Sequence, residues 1–244
     1  MKNVIIPKGT KRIGNHWFWD SDIESVEIPV SVREIGADAF YNCKSLTRVA
    51  FALGSELEKI GPGSFCKTGI ERVVIPKGVE EIRGYTFQEC EHLKEVLFEE
   101  KSVLKTIGED AFRWCTNLTK ITFPEGLEKI ELDAFAGSGL ENVELPASLR
   151  MVSQCTFRAC KSLKVVRFNE GLEVLGTDEY ADGRGSLLGV FEDSSIESVK
   201  LPTTLKRIEC NVFKNCKNLK NIKLPDSLEY IGTQCFFGSG LTKV

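Results

Sequence analysis

Apolar residues recur along the chain in blocks with nearly constant spacing. Residues 35–49 carry the order Ile-Gly-x-x-Ala-Phe-x-x-Cys-x-x-Leu-x-x-Val, and related orders return along the rest of the chain. The clearest marker is a phenylalanine, whose successive spacings are 22, 25, 22, 25, 23, 22, 34, 22 and 23 residues. The ten marker phenylalanines are Phe18, Phe40, Phe65, Phe87, Phe112, Phe135, Phe157, Phe191, Phe213 and Phe236. One apolar set per repeat cannot bury itself alone, so the pattern predicts stacked coils that share a continuous core.

Each repeat has three parts with different periodicity. A short segment such as residues 57–60 has apolar ends and a charged middle, which predicts ends that face inward. The stretch around the marker phenylalanine predicts a turn or a short helical segment. A Val-x-Ile alternation then follows, rich in β-branched and aromatic residues, and this period of two predicts a strand. Proline ends most of these strands because it cannot donate to a continuing ladder.

A repeat of roughly 20–29 residues is typical of a leucine-rich-repeat solenoid. The predicted fold is therefore an α/β, curved leucine-rich-repeat solenoid of about ten repeats of 22–25 residues. Short parallel strands would alternate with turn or short helical segments. We expect residues 1–244 to form a single solenoid domain, a fragment of a longer array, with an insertion near residues 177–188. The insertion is polar and glycine-rich, which predicts a surface loop. Asp178, Glu179 and Asp182 lack the spacing of an EF-hand, so a calcium site is disfavoured.

Two repeat types interleave, and they differ three residues after the marker phenylalanine. One type has cysteine there, and the other has a Gly/Ser turn. The alternation breaks once, where two cysteine-type repeats are consecutive. The five cysteines of this column are Cys43, Cys90, Cys115, Cys160 and Cys216. Only Cys90 and Cys115 lie on adjacent repeats, which argues against a disulfide ladder and favours buried thiols. Four further phenylalanines end strands of the cysteine type and are predicted to be core: Phe51, Phe98, Phe123 and Phe168.

Composition and charge exclude several classes of function. The net charge is -3 and the isoelectric point is about 5.7, which does not predict a nucleic-acid partner. No run of roughly 18 apolar residues predicts a membrane span. The start of the chain lacks the charged and apolar regions of a signal peptide.

The sequence predicts no enzyme, cofactor or metal site. His16 and His92 lie at variable positions and are interpreted as surface residues. No nucleophile elbow, phosphate loop or His-Glu-x-x-His motif is present. Acidic and basic residues alternate at regular intervals, which is typical of a solvated face.

A candidate protein-binding surface follows from the strand alternation. Residues on either side of the central valine of each strand should point away from the core. The candidate residues are Arg48, Ala50, Arg72, Val74, Glu95, Leu97, Lys120 and Thr122, with Lys200 and Lys223 in the same columns further on. Ala50, Val74 and Leu97 form an apolar strip rimmed by charge, which can mark a partner site. The alternative is that valine is favoured there by sheet propensity.

The three tryptophans have two interpretations each. Trp17 occupies a column of otherwise smaller residues, which indicates a cap at one end of the stack or a residue that stacks on a ligand. Trp19 and Trp114 lie on the turn side. They are interpreted either as residues that contact a partner or as surface residues packed against their neighbours.

The order Ile-Gly-x-x-Ala-Phe-x-x-Cys-x-x-Leu-x-x-Val-x-Ile-Pro closely resembles the BspA-type, or Treponema pallidum-type, leucine-rich repeat. The resemblance covers residues 4–244. It implies an extracellular or cell-surface, adhesin-like, non-enzymatic protein that binds host matrix or cell-surface proteins. The alternative is a structural spacer, a stalk in a larger surface protein without a binding site of its own. The oligomeric state does not follow from the sequence.

Overall fold

The computed structural model describes residues 2–177 and 188–242 and forms a parallel β-solenoid of about ten coils. In chain order the strands are β1 (Asn3–Ile5), β2 (Arg12–Ile13), β3 (Ser25–Ile28), β4 (Glu34–Ile35), β5 (Arg48–Phe51), β6 (Lys59–Ile60), β7 (Arg72–Ile75), β8 (Glu81–Ile82), β9 (Glu95–Phe98), β10 (Thr106–Ile107), β11 (Lys120–Ile121), β12 (Lys129–Ile130), β13 (Asn142–Leu145), β14 (Met151–Val152), β15 (Val165–Phe168), β16 (Val174–Leu175), β17 (Ser198–Lys200), β18 (Arg207–Ile208) and β19 (Tyr230–Ile231). The predicted leucine-rich-repeat solenoid is confirmed.

The strands lie on two sides of the solenoid. The long-strand side contains the sheets β1-β3-β5-β7-β9-β11 and β13-β15-β17, whose strands have two to four residues. The short-strand side contains β2-β4-β6-β8-β10-β12-β14 and β16-β18-β19, all with two-residue strands. Neighbouring strands pair in parallel and in register, for example Val26 with Val49 and Ile13 with Ile35. Their inward residues enter one core that runs through the described part of the chain.

The marker phenylalanines form a stacked column inside the solenoid. Adjacent ring centroids lie 5.0–5.7 Å apart, with interplanar angles of 1–11°. The rings of Phe18 and Phe236 at the two ends are partly buried, and the other eight are fully buried. Each buried ring contributes about 1.5–3 kcal/mol of transfer free energy. Aromatic contact adds about 0.5–1.5 kcal/mol per pair.

The turn side is a third ladder of backbone hydrogen bonds. The amide of Phe40 donates to the carbonyl oxygen of Ser64 at 2.8 Å, and that of Phe112 to Ala134 at 2.8 Å. The sequence predicts either a turn or a short helical segment around each marker phenylalanine. The structure has turns there, and the described residues contain no helix. Left-handed residues two before and two after the marker phenylalanine explain this. Asp38 (φ 51°) and Asn42 (φ 58°) flank Phe40 in this way, and such residues interrupt a right-handed helix.

The cysteine column alternates with hydroxyl residues in the core. All five column cysteines are buried, as predicted, and the structure contains them as free thiols. In the preceding coil a Ser or Thr side chain faces four of them: Ser21 contacts Cys43 at 3.4 Å, Thr68 contacts Cys90 at 3.2 Å, Ser138 contacts Cys160 at 3.5 Å and Ser194 contacts Cys216 at 3.7 Å. Cys115 follows Cys90, where the sequence alternation breaks.

Two of the four strand-ending phenylalanines are less buried than predicted. Phe123 and Phe168 are 7% and 1% exposed, but Phe51 and Phe98 are only partly buried against the core. Both lie at the end of their strand, before a seven-residue corner (52–58 and 99–105) that is two residues longer than the corners after β3 and β7. Phe51 has Ile28 as its register partner and Phe98 has Ile75, each on the preceding strand.

Candidate functional site

The eight candidate residues lie together on the long-strand side. β5, β7, β9 and β11 are adjacent, and their register aligns Arg48 with Arg72, Arg72 with Glu95, and Glu95 with Lys120. Val74 aligns with Leu97. Arg48, Arg72, Val74, Lys120 and Thr122 are exposed, whereas Ala50, Glu95 and Leu97 are half-buried. Five of the eight are therefore exposed, and the role of this surface in binding stays a prediction.

The middle of this surface is apolar. The Val74 side chain is 40% exposed although it lies within a four-residue strand whose Val73 and Ile75 are buried. Leu97, its partner on β9, is half-buried. We call Ala50, Val74 and Leu97 the apolar strip.

Charged residues border the apolar strip and pair with one another. Arg72 Nε lies 3.0 Å from Glu95 Oε2, and Lys94 Nζ lies 2.9 Å from Glu71 Oε2. The hydrogen bond from Lys94 lowers the pKa of Glu71. Arg48 and Lys120 have no carboxylate within ion-pair distance among the described residues. Exposed pairs of this kind contribute roughly 0–1 kcal/mol to stability.

The structure adds apolar residues to this surface that the sequence reading missed. The two long corners follow β5 and β9, and each carries an exposed aliphatic side chain. Leu53 is 98% exposed and Val103 is 49% exposed. Phe51 and Phe98, half-buried, lie between these corners and the apolar strip. The spacing of 25 residues in these two repeats, with an aliphatic residue in the extra segment, was the signal that could have found them.

An apolar groove adjoins the strip at the coils before it. It has a volume of about 520 Å³, and its lining includes Ile5, Ile28, Val30, Ala50 and Phe51. The Ile5 side chain is 78% exposed and that of Val30 is 43% exposed. Apolar surface therefore extends from the groove along the same edge as Phe51 and Leu53.

The tryptophans are partly packed on the turn side. Trp19 stacks on Tyr41 with ring centroids 4.3 Å apart, and it is 47% exposed. Trp114 covers Gly137, where an added Cβ would clash with its ring. Trp17 lies against Gly14 and is 58% exposed. The cap and the ligand-stacking interpretations of Trp17 stay predictions.

Among the residues that the structure describes, the histidine and cysteine side chains do not form a common site. Both histidines are exposed, as predicted, and His16 Nδ1 lies 3.9 Å from Asp38 Oδ2. Burial raises the pKa of Cys90 and Cys160 to about 11, so these thiols remain protonated at neutral pH. Within residues 2–177 and 188–242 no three His, Cys, Asp or Glu side chains are grouped as metal ligands would be. Asp178, Glu179 and Asp182, weighed as calcium ligands, lie outside the described residues, as does most of the insertion.

No helix in the part of the chain that the structure describes is both long enough and apolar enough to cross a membrane.

The coils, the phenylalanine column and the strand register define a leucine-rich-repeat solenoid. The chain matches the family model described as the BspA type leucine rich repeat region in six copies, over residues 1–94, 93–183 and 188–244. It therefore belongs to the BspA-type leucine-rich repeat family, and the resemblance seen in the sequence is confirmed.

Solved structures with the same fold are distant in sequence. The pneumococcal vaccine antigen PcpA is 24% identical with a TM-score of 0.53, over 86% of this chain and 58% of that chain. A leucine rich cell surface protein from Faecalibacterium prausnitzii A2-165 is 20% identical with a TM-score of 0.56, over 100% of this chain and 88% of that chain. This chain thus spans little more than half of the pneumococcal antigen. No curated protein matches it in sequence.

Proposed function

We propose that this chain is a non-enzymatic protein-binding module of a cell-surface or secreted protein, adhesin-like in its action. The contact surface is the face formed by Arg48, Ala50, Arg72, Val74, Glu95, Leu97, Lys120 and Thr122. Its partner is a protein, such as a host extracellular-matrix or cell-surface protein.

The Val74–Leu97 pair on the outer face, with Val74 exposed and Leu97 half-buried, carries the proposal. Inward-facing residues of the same strands are nearly all buried, so the core does not require aliphatic side chains on the outer face. Leu53 and Val103 add exposed apolar side chains at the long corners. Protein interfaces have this organisation, with an apolar centre and a polar rim. Arg72 and Glu95 on the rim would select a partner by charge.

The family and the solved relatives support the location and the absence of catalysis. One structural relative is a vaccine antigen of pneumococcus, and another is a cell surface protein. Residues that recur in every repeat of this chain, such as the marker phenylalanine, occupy core positions rather than a polar cleft. Because the recurring residues build the core, they support a scaffold whose outer surface makes the contacts.

The test is binding to a panel of purified extracellular-matrix and serum proteins. Val74→Asp with Leu97→Asp puts two charges into the apolar strip while leaving the core intact. For a partner that the unmodified chain binds, we expect affinity to fall at least about tenfold, because truncation or charge at an interface centre costs about 2 kcal/mol or more. Met151→Asp with Val174→Asp is the matched control, since both residues are half-buried on the short-strand side. An equal loss in the control would refute the assignment of this face.

The competing function is a structural spacer. The observation that favours it is the stacked column from Phe18 to Phe236, which joins the coils into one continuous stack. Ten coils at about 4.8 Å per coil span roughly 50 Å. If the unmodified chain binds no member of the panel, the spacer function is favoured over the binding function.

A further inference from the structure

Positive charge is concentrated on the last coils of the long-strand side. Five cationic side chains point outward there, and we call them the basic face. They are Lys164 and Arg167 at β15, Lys200 at the end of β17, and Lys220 and Lys223 in the equivalent segment of the next coil. All five are exposed. The whole chain carries a net charge of -3, so this surface has the opposite sign to the protein.

The cations form two columns along the solenoid axis. Arg167 and Lys200 are register partners on β15 and β17, and Lys223 continues their column. Lys164 and Lys220 lie in the second column with Glu197, the one carboxylate of the basic face, between them. Three residues along a strand place the columns roughly 10 Å apart, and coils follow at about 4.8 Å. Val165, Ser198 and Asn221 form an uncharged floor between the columns, and Val165 is paired with Ser198.

These charges are not used to stabilise the fold. Within the described residues, none of the five cations has a carboxylate within 4 Å. Lys220 Nζ donates to the carbonyl oxygen of Lys217 at 2.9 Å. Like charges on adjacent strands repel and are destabilising. On the short-strand side, by contrast, cations face carboxylates, as in Arg12–Glu34 at 3.2 Å and Lys105–Glu80 at 3.3 Å. A local excess of unpaired cations is typical of a surface that binds an anionic ligand.

We propose that the basic face binds a linear anionic polysaccharide, with the chain lying between the two cationic columns along the solenoid axis. Lysine ammonium groups would contact sulfate or carboxylate groups as point charges, and Arg167 could form a paired contact. Ser198 and Asn221 would donate to or accept from sugar hydroxyl groups. Glu144, the register partner of Arg167, ends the basic face on one side.

The composition of the basic face favours a polysaccharide over other polyanions. Single-stranded nucleic acid is usually held by aromatic side chains on which its bases stack, and the face has none. An acidic protein would bring apolar side chains that need a pocket, and Val165 is the one apolar residue of the floor. A membrane surface would contact the cations alone and would make no use of the hydrogen-bonding groups of Ser198 and Asn221 between them. This proposal is independent of the protein-binding face, which lies on β5–β11.

The test uses the full chain and fluorescent heparin oligosaccharides as the probe. We expect measurable binding at physiological salt that weakens as salt rises. Arg167→Ser, Lys200→Ser and Lys223→Ser together should lower affinity by at least about tenfold and reduce the slope of log Kd against log salt by about one per lost contact. Lys59→Ser, Lys105→Ser and Lys129→Ser form the control, because they remove the same number of charges from the short-strand side. The triple variant of the basic face should unfold at the same temperature as the unmodified chain or higher.

Each result decides the proposal. Binding lost in the first triple variant and kept in the control supports it. No binding at physiological salt, an equal loss in the control, or equal binding of an uncharged polysaccharide such as dextran would overturn it. Duplex DNA, polyglutamate and vesicles with anionic lipid are tested in parallel. Tighter binding of any of these would replace the polysaccharide with that class of polyanion.

Discussion

The Sγ atom of Cys90 donates a hydrogen bond to the carbonyl oxygen of Phe65, 3.0 Å away in the preceding coil. The same contact recurs four times: Cys43 to Phe18 at 2.8 Å, Cys115 to Phe87 at 3.1 Å, Cys160 to Phe135 at 3.1 Å and Cys216 to Phe191 at 3.1 Å. Each thiol fills space beside the phenylalanine column and provides a donor to a carbonyl in the interior. This explains why a weakly polar residue is used there.

Alkaline pH should destabilise the protein through these thiols. Burial raises the pKa of Cys90 and Cys160 to about 11 and that of Cys216 to about 12. Thiols of the unfolded chain ionise near pH 9, so stability is complete below about pH 9 and falls as pH rises towards 11–12. We expect a loss of about 1.4 kcal/mol per pH unit for each such thiol.

Urea unfolding at pH 8, 9.5 and 10.5 measures this effect. Cys90→Ala with Cys160→Ala should make the decline shallower, which separates the thiols from lysine and tyrosine side chains that titrate in the same range. An identical decline in the variant would contradict the role of these thiols.

Left-handed residues on the turn side predict a stabilising substitution. Ala159 has φ 56°, a conformation that costs an L-residue with a Cβ roughly 1–2 kcal/mol. Ala159→Gly should therefore raise the free energy of unfolding by about 0.5–1 kcal/mol, after the entropic cost of glycine. Ala147 is exposed and its φ is not positive, so Ala147→Gly is the control and should destabilise. Thermal unfolding of both variants checks the sign, and a lower Tm for Ala159→Gly would disprove the argument.

The phenylalanine column predicts that a Phe→Ala substitution lowers the free energy of unfolding by an amount that depends on the position of the ring. Phe112 is fully buried between Phe87 and Phe135, with ring centroids at 5.3 and 5.2 Å. Phe112→Ala should lower stability by about 3–5 kcal/mol, because it removes two ring contacts and leaves a cavity. Phe237→Ala should change it by less than about 0.5 kcal/mol, since that ring is 61% exposed. Equilibrium denaturation measures the free energy of unfolding of both variants. Similar losses in the two would show that the phenylalanine column does not contribute the stability assigned to it.

The sequence was informative wherever one residue type recurred at one spacing. The marker phenylalanines, the buried thiols and the outward direction of Arg72 and Val74 could all be predicted. The short-strand side could not be predicted as a sheet, because two-residue strands such as β6 are too short to show an alternation. Leu53 and Val103 were missed because they lie at different positions within the two long corners, so they do not form a column of the repeat. The sequence placed Lys200 and Lys223 in the outward columns. It did not group them with Lys164 and Lys220, because that grouping depends on which coils are neighbours in space.

The hydroxyl–thiol alternation makes two successive coils the chemical unit of this solenoid. A hydroxyl residue such as Thr68 meets a thiol in the next coil, so a pair of coils can be duplicated or removed without changing which side chains meet. Loss or gain of a single coil brings two like residues together, as happens once at Cys90 and Cys115. Lengthening or shortening this protein by whole pairs of coils would preserve the contacts in its interior. The adjacent Cys90 and Cys115 mark the place where the alternation of hydroxyl and thiol coils is shifted by one coil.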